Sequence, residues 1–553
     1  MGVEIDAVVN AAAAGPARLS VPDPLIAEAF DRSMHDHVLR CLAPEVFPWY
    51  WFICSDRTSW GGTVWPGLDG HQVGHALMWA GHMSEQFGYW DYVKAEQLEN
   101  GQVPYRIEPD AGTLSRGDYH ESYFFGRSKF HSYIPGPYFF TLSPSTWIKH
   151  GYDLFRFTQD VDWLHRNFDS LERAAKWLDL LGSKEGLVGC GSYYMDLPTR
   201  IEFDGITQGY VYQNYLQISE LAERLGLHEH SEHWGNRASR LRDAFRKHFW
   251  AGEQCAEYLH PFRGPITSHG LSDVDWIAQA VDLLDGDDDQ VLWQRMERSR
   301  ELYYGILPTG ICAHPQNYES WETINPHLAS RAGGTSVFRD CAAAGRAWFV
   351  EAMARHRRCD GDGLADTLVR VATVGKRTGW NWYERYLRLD MPRGPVREDL
   401  ERFYPDYRQG VGSNLDDLGC FPVGHQGYAE WPANLVRIAC QWLAGVDLTV
   451  DGTLSLSPCA PSTYFENGYG LDATLLNRSV HVRYHRDSVR LRVGNGPAWK
   501  VRMRLAPWLT SAKVDVTCMA NEVSVPVTVN DGWVTWQLPK ATGQVVCVLK
   551  LVM

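Results

Sequence analysis

From Leu25 to Val446 the chain repeats one pattern: apolar residues at three-and-four spacing, interrupted by Gly, Pro or Asp-rich breaks. LIAEAFDRSMHDHVLRCL, DVDWLHRNFDSLERAAKWLDLL, QGYVYQNYLQISELAERLG and FRDCAAAGRAWFVEAMARH are four of about a dozen such stretches, and each predicts an amphipathic helix. Near Asp451 the period changes to two. SVHVRYH, SVRLRVG, WKVRMRLAP and GWVTWQLP alternate between Gly, Asn and Asp turns, which predicts antiparallel strands. The chain therefore divides into a loose N-terminal arm (1–24), a helical region (25–446) and a C-terminal antiparallel β-sandwich (447–553). No short repeat runs through the helical region, so a mainly α, closed double ring of helices is expected over a superhelical solenoid. The link GVDLTVDGT is short, which predicts close packing of the two parts.

Composition narrows the class. Of 553 residues, 44% are apolar and 22% charged, which excludes global disorder, and no apolar run is long enough to span a membrane. The opening MGVEID carries acid where a signal peptide carries base, so a cytoplasmic chain is expected. A net charge of -14, with no Lys/Arg tract, argues against a nucleic-acid partner, whose affinity comes from neutralising phosphates. The 12 cysteines show no CxxC and are expected as buried thiols rather than disulfides or zinc ligands. The 23 Trp, 26 Tyr and 21 Phe exceed what a core needs, and aromatic faces stack on the C–H faces of sugar rings.

Several segments then carry a resemblance. SWGGTVWPGLDGHQVGHALMWAGHM and QLENGQVPYRIEP open the helical region; GSYYMDLPTRIEFDG sits in its middle; WNWYERY precedes GHQGYAEWPANLVRIACQWLAGVD at its end. In this order they resemble the six-hairpin glycosidases, the superfamily of trehalases, processing α-glucosidases, glucoamylases and α-L-rhamnosidases. The resemblance covers about residues 45 to 550 and implies an (α/α)6 barrel followed by a β-sandwich. It also implies an exo-acting glycoside hydrolase, mostly inverting in this superfamily, on an α-linked neutral sugar such as a rhamnoside or glucoside.

Hydrolysis of a glycosidic bond needs one carboxyl that stays protonated and one that stays ionised, about 6.5–9.5 Å apart in an inverting enzyme. Asp196 follows Tyr193, Tyr194 and Met195 and precedes Leu197-Pro198, apolar company that raises a carboxyl pKa, and it is the favoured acid. Glu202 is its rival, because Asp196-Leu-Pro-Thr-Arg200-Ile-Glu202 has the D-x-P-x-R-x-E spacing of the rhamnosidases; Asp204 is a third. In rhamnosidases that string precedes the first barrel hairpin, whereas here it lies mid-barrel. Glu384, within Trp380-Asn381-Trp382-Tyr383-Glu384-Arg385-Tyr386, is the favoured base; the alternative is pairing with Arg385. Glu430 is expected to cap the last long helix.

Substrate contacts are expected from Trp60, Trp65, Asp69, His71, Arg200, Trp321, Glu322, Trp380, Trp382, His425 and Trp431, and the segment from Asp110 to Ser132 is expected over the mouth. No metal or cofactor is expected. HQVGH places His71 and His75 one turn apart but lacks the Glu of HExxH, HEHSEH (residues 228–233) reads as a solvated turn, and DGDDD (285–289) reads as a helix start. No GxGxxG follows a strand, and neither a P-loop nor GxSxG is present. Two other classes remain open. A polysaccharide lyase would use Tyr193, Tyr194, Arg200 and His425, and a repurposed barrel would bind sugar without turnover. The sequence carries no signal of oligomeric state.

Overall fold

The computed structural model describes residues 15–57, 64–104, 106–107, 131–132, 141–183, 185–189, 203–268, 270–299, 342–388, 415, 418, 420–505, 515–521, 523–540 and 543–552. Its helices are α1 (Pro24–Arg32), α2 (Leu68–Trp79), α3 (Met83–Ala95), α4 (Leu142–Thr158), α5 (Val161–Leu180), α6 (Gly205–Arg224) and α7 (His228–Phe249). They continue with α8 (Asp273–Ala280), α9 (Gly286–Arg298), α10 (Gly345–Arg357), α11 (Gly361–Arg377), α12 (Glu430–Ile438) and the short α13 (Ser462–Asn467). A π-helical stretch prolongs α1 and another prolongs α12 to Leu443. None of the described helices is long and apolar enough to cross a membrane.

Local signals account for the helix ends. Asp23, Asp160 and Asp360 each accept first-turn amides of α1, α5 and α11, and Ser272 with Asp275 closes a capping box on α8. Asp204 is such a cap too: its carboxylate accepts the amide of Thr207 at 3.1 Å and the hydroxyl at 2.8 Å, which ties it to the start of α6. DGDDD does begin α9, with Asp287, Asp288 and Asp289 in its first turn. HEHSEH is not a turn. It forms the first two turns of α7, where His228 pairs with Glu223 and His230 with Glu172.

Packing sorts the helices into two sets. α2 packs against α4, α4 against α6, α6 against α8, α8 against α10, α10 against α12, and α12 back against α2. Most residues of these six are buried, and every residue of α12 is. The others flank them, and α5 shows why: Trp163, Leu164, Asn167, Phe168, Leu171, Ala174, Ala175 and Leu178 form one buried stripe, with the opposite face in solvent. Where ring helices approach closely the sequence has glycine. A Cβ on Gly209 of α6 would stand 2.3 Å from Ile277 Cγ1 of α8, and one on Gly345 of α10 would stand 2.7 Å from Glu430 Cγ of α12.

After α12 the chain forms a five-stranded sheet and six strands of a seven-stranded one. Their alternation follows the sequence: in Ser488–Val493 the valines and leucine are buried and the arginines exposed. Pairing is antiparallel with one departure, Leu454–Leu456 running parallel to Trp499–Arg504. The chain leaves the five-stranded sheet after Leu456, builds strands of the other sheet and returns, which permits a parallel neighbour. A second departure concerns the expected arm. Arg18–Ser20 pairs antiparallel with Tyr469–Leu475 as an edge strand of the seven-stranded sheet, and Ala17 is buried with its amide on Trp79 O. None of the eight cysteines whose side chains are described forms a disulfide, and all but Cys359 are buried.

Candidate active site

Segments between flanking and ring helices lead into the N-terminal ends of the ring, and most residues singled out from sequence fall in them. Two of these ends are joined by a small sheet: Ala342–Ala344, directly before α10, pairs with Tyr383–Arg388, which pairs with Cys420–Gln426 ahead of α12. Between the pairs Tyr383–Gln426 and Arg385–Val423 the register shifts: Glu384 alone stands opposite Gly424 and His425, so the bulge is in the strand Cys420–Gln426 and Glu384 lies across from it. Glu384 is half-buried there, and its main-chain carbonyl accepts the Trp431 indole N–H at 3.3 Å, tying its strand to the first turn of α12.

Beside it, Glu430 is buried at the first position of α12. It is the first helical residue; the capping position is Ala429, which makes no side-chain cap bond. Gln72 of the neighbouring α2 donates to Glu430 Oε1 at 3.3 Å. Asn434 donates to Gln72 Oε1 at 2.7 Å, Arg437 donates to Asn434 Oδ1 at 2.8 Å, and Arg437 Nε donates to His75 Nδ1 at 3.1 Å. A buried polar path thus runs between α2 and α12 from the Glu430 carboxylate. Sequence reasoning missed it, since its partners are more than 350 residues apart and sit in segments that read as apolar helix.

The path ends in a cluster. His71 Nε2 lies 3.0 Å and His75 Nδ1 3.2 Å from Asp153 Oδ2, and Arg156 lies 3.9 Å from Asp153 Oδ1. Burial pushes the Asp153 carboxyl up, but His75, His71 and Arg156 outweigh it and hold the group well below the usual carboxylate range. Burial likewise brings the His71 imidazole down to about 4 and His75 well below its ordinary value, so both are neutral at pH 7. Among the described residues these three alone bring donor atoms close enough to share a metal ion. They do not fit one. The hydrogen bonds put a proton on His71 Nε2, and the His75 Nδ1 lone pair takes the Arg437 N–H, so the guanidinium already fills the cation's place.

The remaining expectations divide. Trp60, Asp196, Arg200, Glu202, Trp321 and Glu322 lie outside the described residues, as do Tyr193, Tyr194 and nearly all of the segment from Asp110 to Ser132. Asp69 stands in the first turn of α2 and His425 on the strand Cys420–Gln426, both at the N-terminal side of the ring. His71 is buried and turned to the axial cluster. Trp382 and Trp431 are corrections: both are fully buried and stack at 6.4 Å, with Trp348 on the other side of Trp431 at 5.8 Å, so they are core rather than a platform open to sugar. Trp65 is buried against Ile53, Cys54 and Tyr428. Trp380 turns outward to α1, where its indole donates to Glu28 at 3.3 Å.

No protein-family model matches the chain, and no curated protein does. Solved structures do. An α-L-rhamnosidase from Dictyoglumus thermophilum aligns with a TM-score of 0.55 at 11% identity, over 97% of this chain and 51% of that one. A GH78 family rhamnosidase of Bacillus sp. GL1 gives 0.52 at 12%, over 87% and 40%. An α-L-rhamnosidase of Streptomyces avermitilis, complexed with L-rhamnose, gives 0.51 at 12%, over 97% and 42%. The chain spans about half the length of these proteins or less. At such identity the likeness is one of fold alone, the fold shared with these rhamnosidases.

Proposed function

We propose that this protein is a glycoside hydrolase built on an (α/α)6 barrel with a C-terminal β-sandwich. Its site is the N-terminal mouth of the ring. Glu384 acts there as the base that activates water, and a carboxylic acid from the segment 190–202, Asp196 ahead of Glu202, protonates the leaving oxygen. The observation that supports this reading most is that Glu384 is half-buried on a strand that faces a bulge and whose main chain is tied to the start of α12. The succession of ring helices closing back on α2 supports the barrel, and the likeness in fold to rhamnosidases supports the reaction class. The substrate class that follows is an α-linked neutral sugar, rhamnoside or glucoside, cleaved from a chain end with inversion.

The test is release of nitrophenol from a panel of α- and β-glycosides, with Glu384→Gln and Asp196→Asn assayed beside the unaltered protein. One glycoside is expected to turn over, and each variant is expected to lose it by about a thousandfold, the scale of removing an acid or base. Loss in Glu384→Gln alone moves the acid to Glu202. No turnover anywhere in the panel overturns the reading and makes the near-ultraviolet assay for an unsaturated lyase product the next measurement.

A further inference from the structure

Below the mouth, towards the C-terminal ends of α4, α6 and α12, lies a cavity of about 320 Å³, walled also by α2 and α10. Tyr152, Arg156, Glu220, Gln441, Trp442 and Asp447 are shared with a groove of about 540 Å³ against the β region, which makes a way in from outside. Glu384 lines neither. The cavity has the size at which small-molecule sites begin, about 300 Å³.

The charges of its lining balance. Three cations, Lys149, Arg156 and Arg437, stand with three carboxylates, Asp153, Glu220 and Asp447, and the neighbouring His71 and His75 are neutral. These groups hold one another and the wall: Arg156 pairs with Asp447 and Asp153, the Tyr152 hydroxyl donates to Glu220, Arg437 donates to His75 and Asn434, and Lys149 lies over the Tyr210 ring at 3.3 Å. Stability of the ring does not ask for such a lining. Apolar side chains of the same volume would stabilise as much or more, since a buried ion pair returns little beyond the cost of desolvating it.

Two buried donors on this lining also lack an acceptor among the described residues. The His75 Nδ1 lone pair takes the Arg437 N–H, which leaves the proton on Nε2, and neither that N–H nor the N–H of Arg156 Nε meets an oxygen. Orphaned buried donors are uncommon and costly. At the half-exposed wall the Gln213 amide has no partner among the described residues either. The space thus offers donors and acceptors in equal measure, with the Trp442 indole beside them. A hydroxyl group both gives and accepts hydrogen bonds, so a molecule with many hydroxyls and no net charge matches a lining of this kind.

We propose that this cavity is a second ligand site, separate from the mouth that bears Glu384, and that it takes a neutral polyhydroxylated molecule of monosaccharide size. Arg156 Nε and the Gln213 amide are donors left for its oxygens, and Glu220 and Asp447 are acceptors for its hydroxyls. A sugar and a cyclic polyol share that chemistry.

The test is calorimetric titration of the full chain with D-glucose, L-rhamnose and myo-inositol, beside D-glucuronate at matched ionic strength. Saturable binding of at least one neutral compound is expected, and the compound that binds tells sugar from polyol. Leu216→Trp, at a wall position 37% exposed, puts an indole into the space; it is expected to melt as the unaltered protein does and to lose this binding. Should it not fold, Gln213→Leu removes the wall amide and is expected to weaken binding about threefold to tenfold, the scale of one hydrogen bond. Binding at the mouth adds a component that both variants leave in place, so failure of the glycosidase reading removes that component alone. No saturable binding of any of the three compounds overturns the proposal. So does affinity unchanged in both variants, or D-glucuronate binding more than about tenfold more tightly than D-glucose.

Discussion

Gln72 and Glu430, 358 residues apart in the chain, meet at 3.3 Å where α2 packs against α12. The glutamine holds the buried carboxylate with its N–H and takes a hydrogen bond from Asn434 on its carbonyl, so one side chain joins α2 to α12. Gln72→Leu is expected to cost about 1–3 kcal/mol, the scale of depriving a buried charged acceptor of a donor. Gln72→Glu would bring two carboxylates together, and the pair would keep a proton to higher pH than either alone. Urea denaturation should therefore show the Gln72→Glu deficit shrinking as pH falls. A deficit that grows on acidification would mean that the two side chains do not touch.

Acid should unfold the protein early. Burial, opposed by few hydrogen bonds, brings His37 and His71 down to about 4 and His150 and His356 to about 3. In the unfolded chain each returns to about 6.5, so between those values the unfolded state binds more protons and stability falls as pH drops. Each imidazole contributes up to about 1.4 kcal/mol per pH unit within its own window. The expected result is a steep loss of stability between pH 6.5 and about 4, lessened in His356→Gln. A flat profile over that range would show that these rings are not buried as neutral groups.

Close packing of α6 on α8 gives a test of the ring itself. Alanine is the better helix former, yet Gly209→Ala would press a methyl group against Ile277 at 2.3 Å. The cost of such overpacking is about 1–3 kcal/mol, and Ile277→Ala in the same chain should return part of it. Equal and additive effects of the two substitutions would argue that these helices are not neighbours.

Trp382 and Trp431 offer a contrast with Glu384. As core residues, each replaced by alanine should lower stability by about 3–5 kcal/mol, while Glu384→Gln should leave the melting temperature within a degree or two and remove activity. A Trp382→Ala protein that melts normally but binds sugar poorly would restore the tryptophan to the substrate site.

These contrasts mark how far the sequence could be read. DVDWLHRNFDSLERAAKWLDLL becomes α5 with Asp160 as its cap, because periodicity and capping are local and its apolar stripe has one wall to meet. SVRLRVG becomes a strand for the same reason. Ring helices are harder. With every face covered, α4 hides Ser145, Lys149, His150 and Asp153 among its buried residues, and nothing in the spacing tells a buried polar residue that serves the axis from one facing water. The Glu430 path and the Asp153 cluster depend on which helices become neighbours, a property of the closed ring. The aromatic surplus misled in part: Trp382 and Trp431 pack on each other, since flat rings fill a crowded helix junction as well as they bind a sugar.

The pairing of Arg18–Ser20 with Tyr469–Leu475 gives the molecule a clasp. The first described strand of the chain finds its only described sheet partner some 450 residues later, so during synthesis it must wait until that later stretch has emerged. Until then the ring cannot be locked to the β region from that side. A chain shortened by its first twenty residues would expose the edge of Tyr469–Leu475, and such an edge is an invitation to a second molecule.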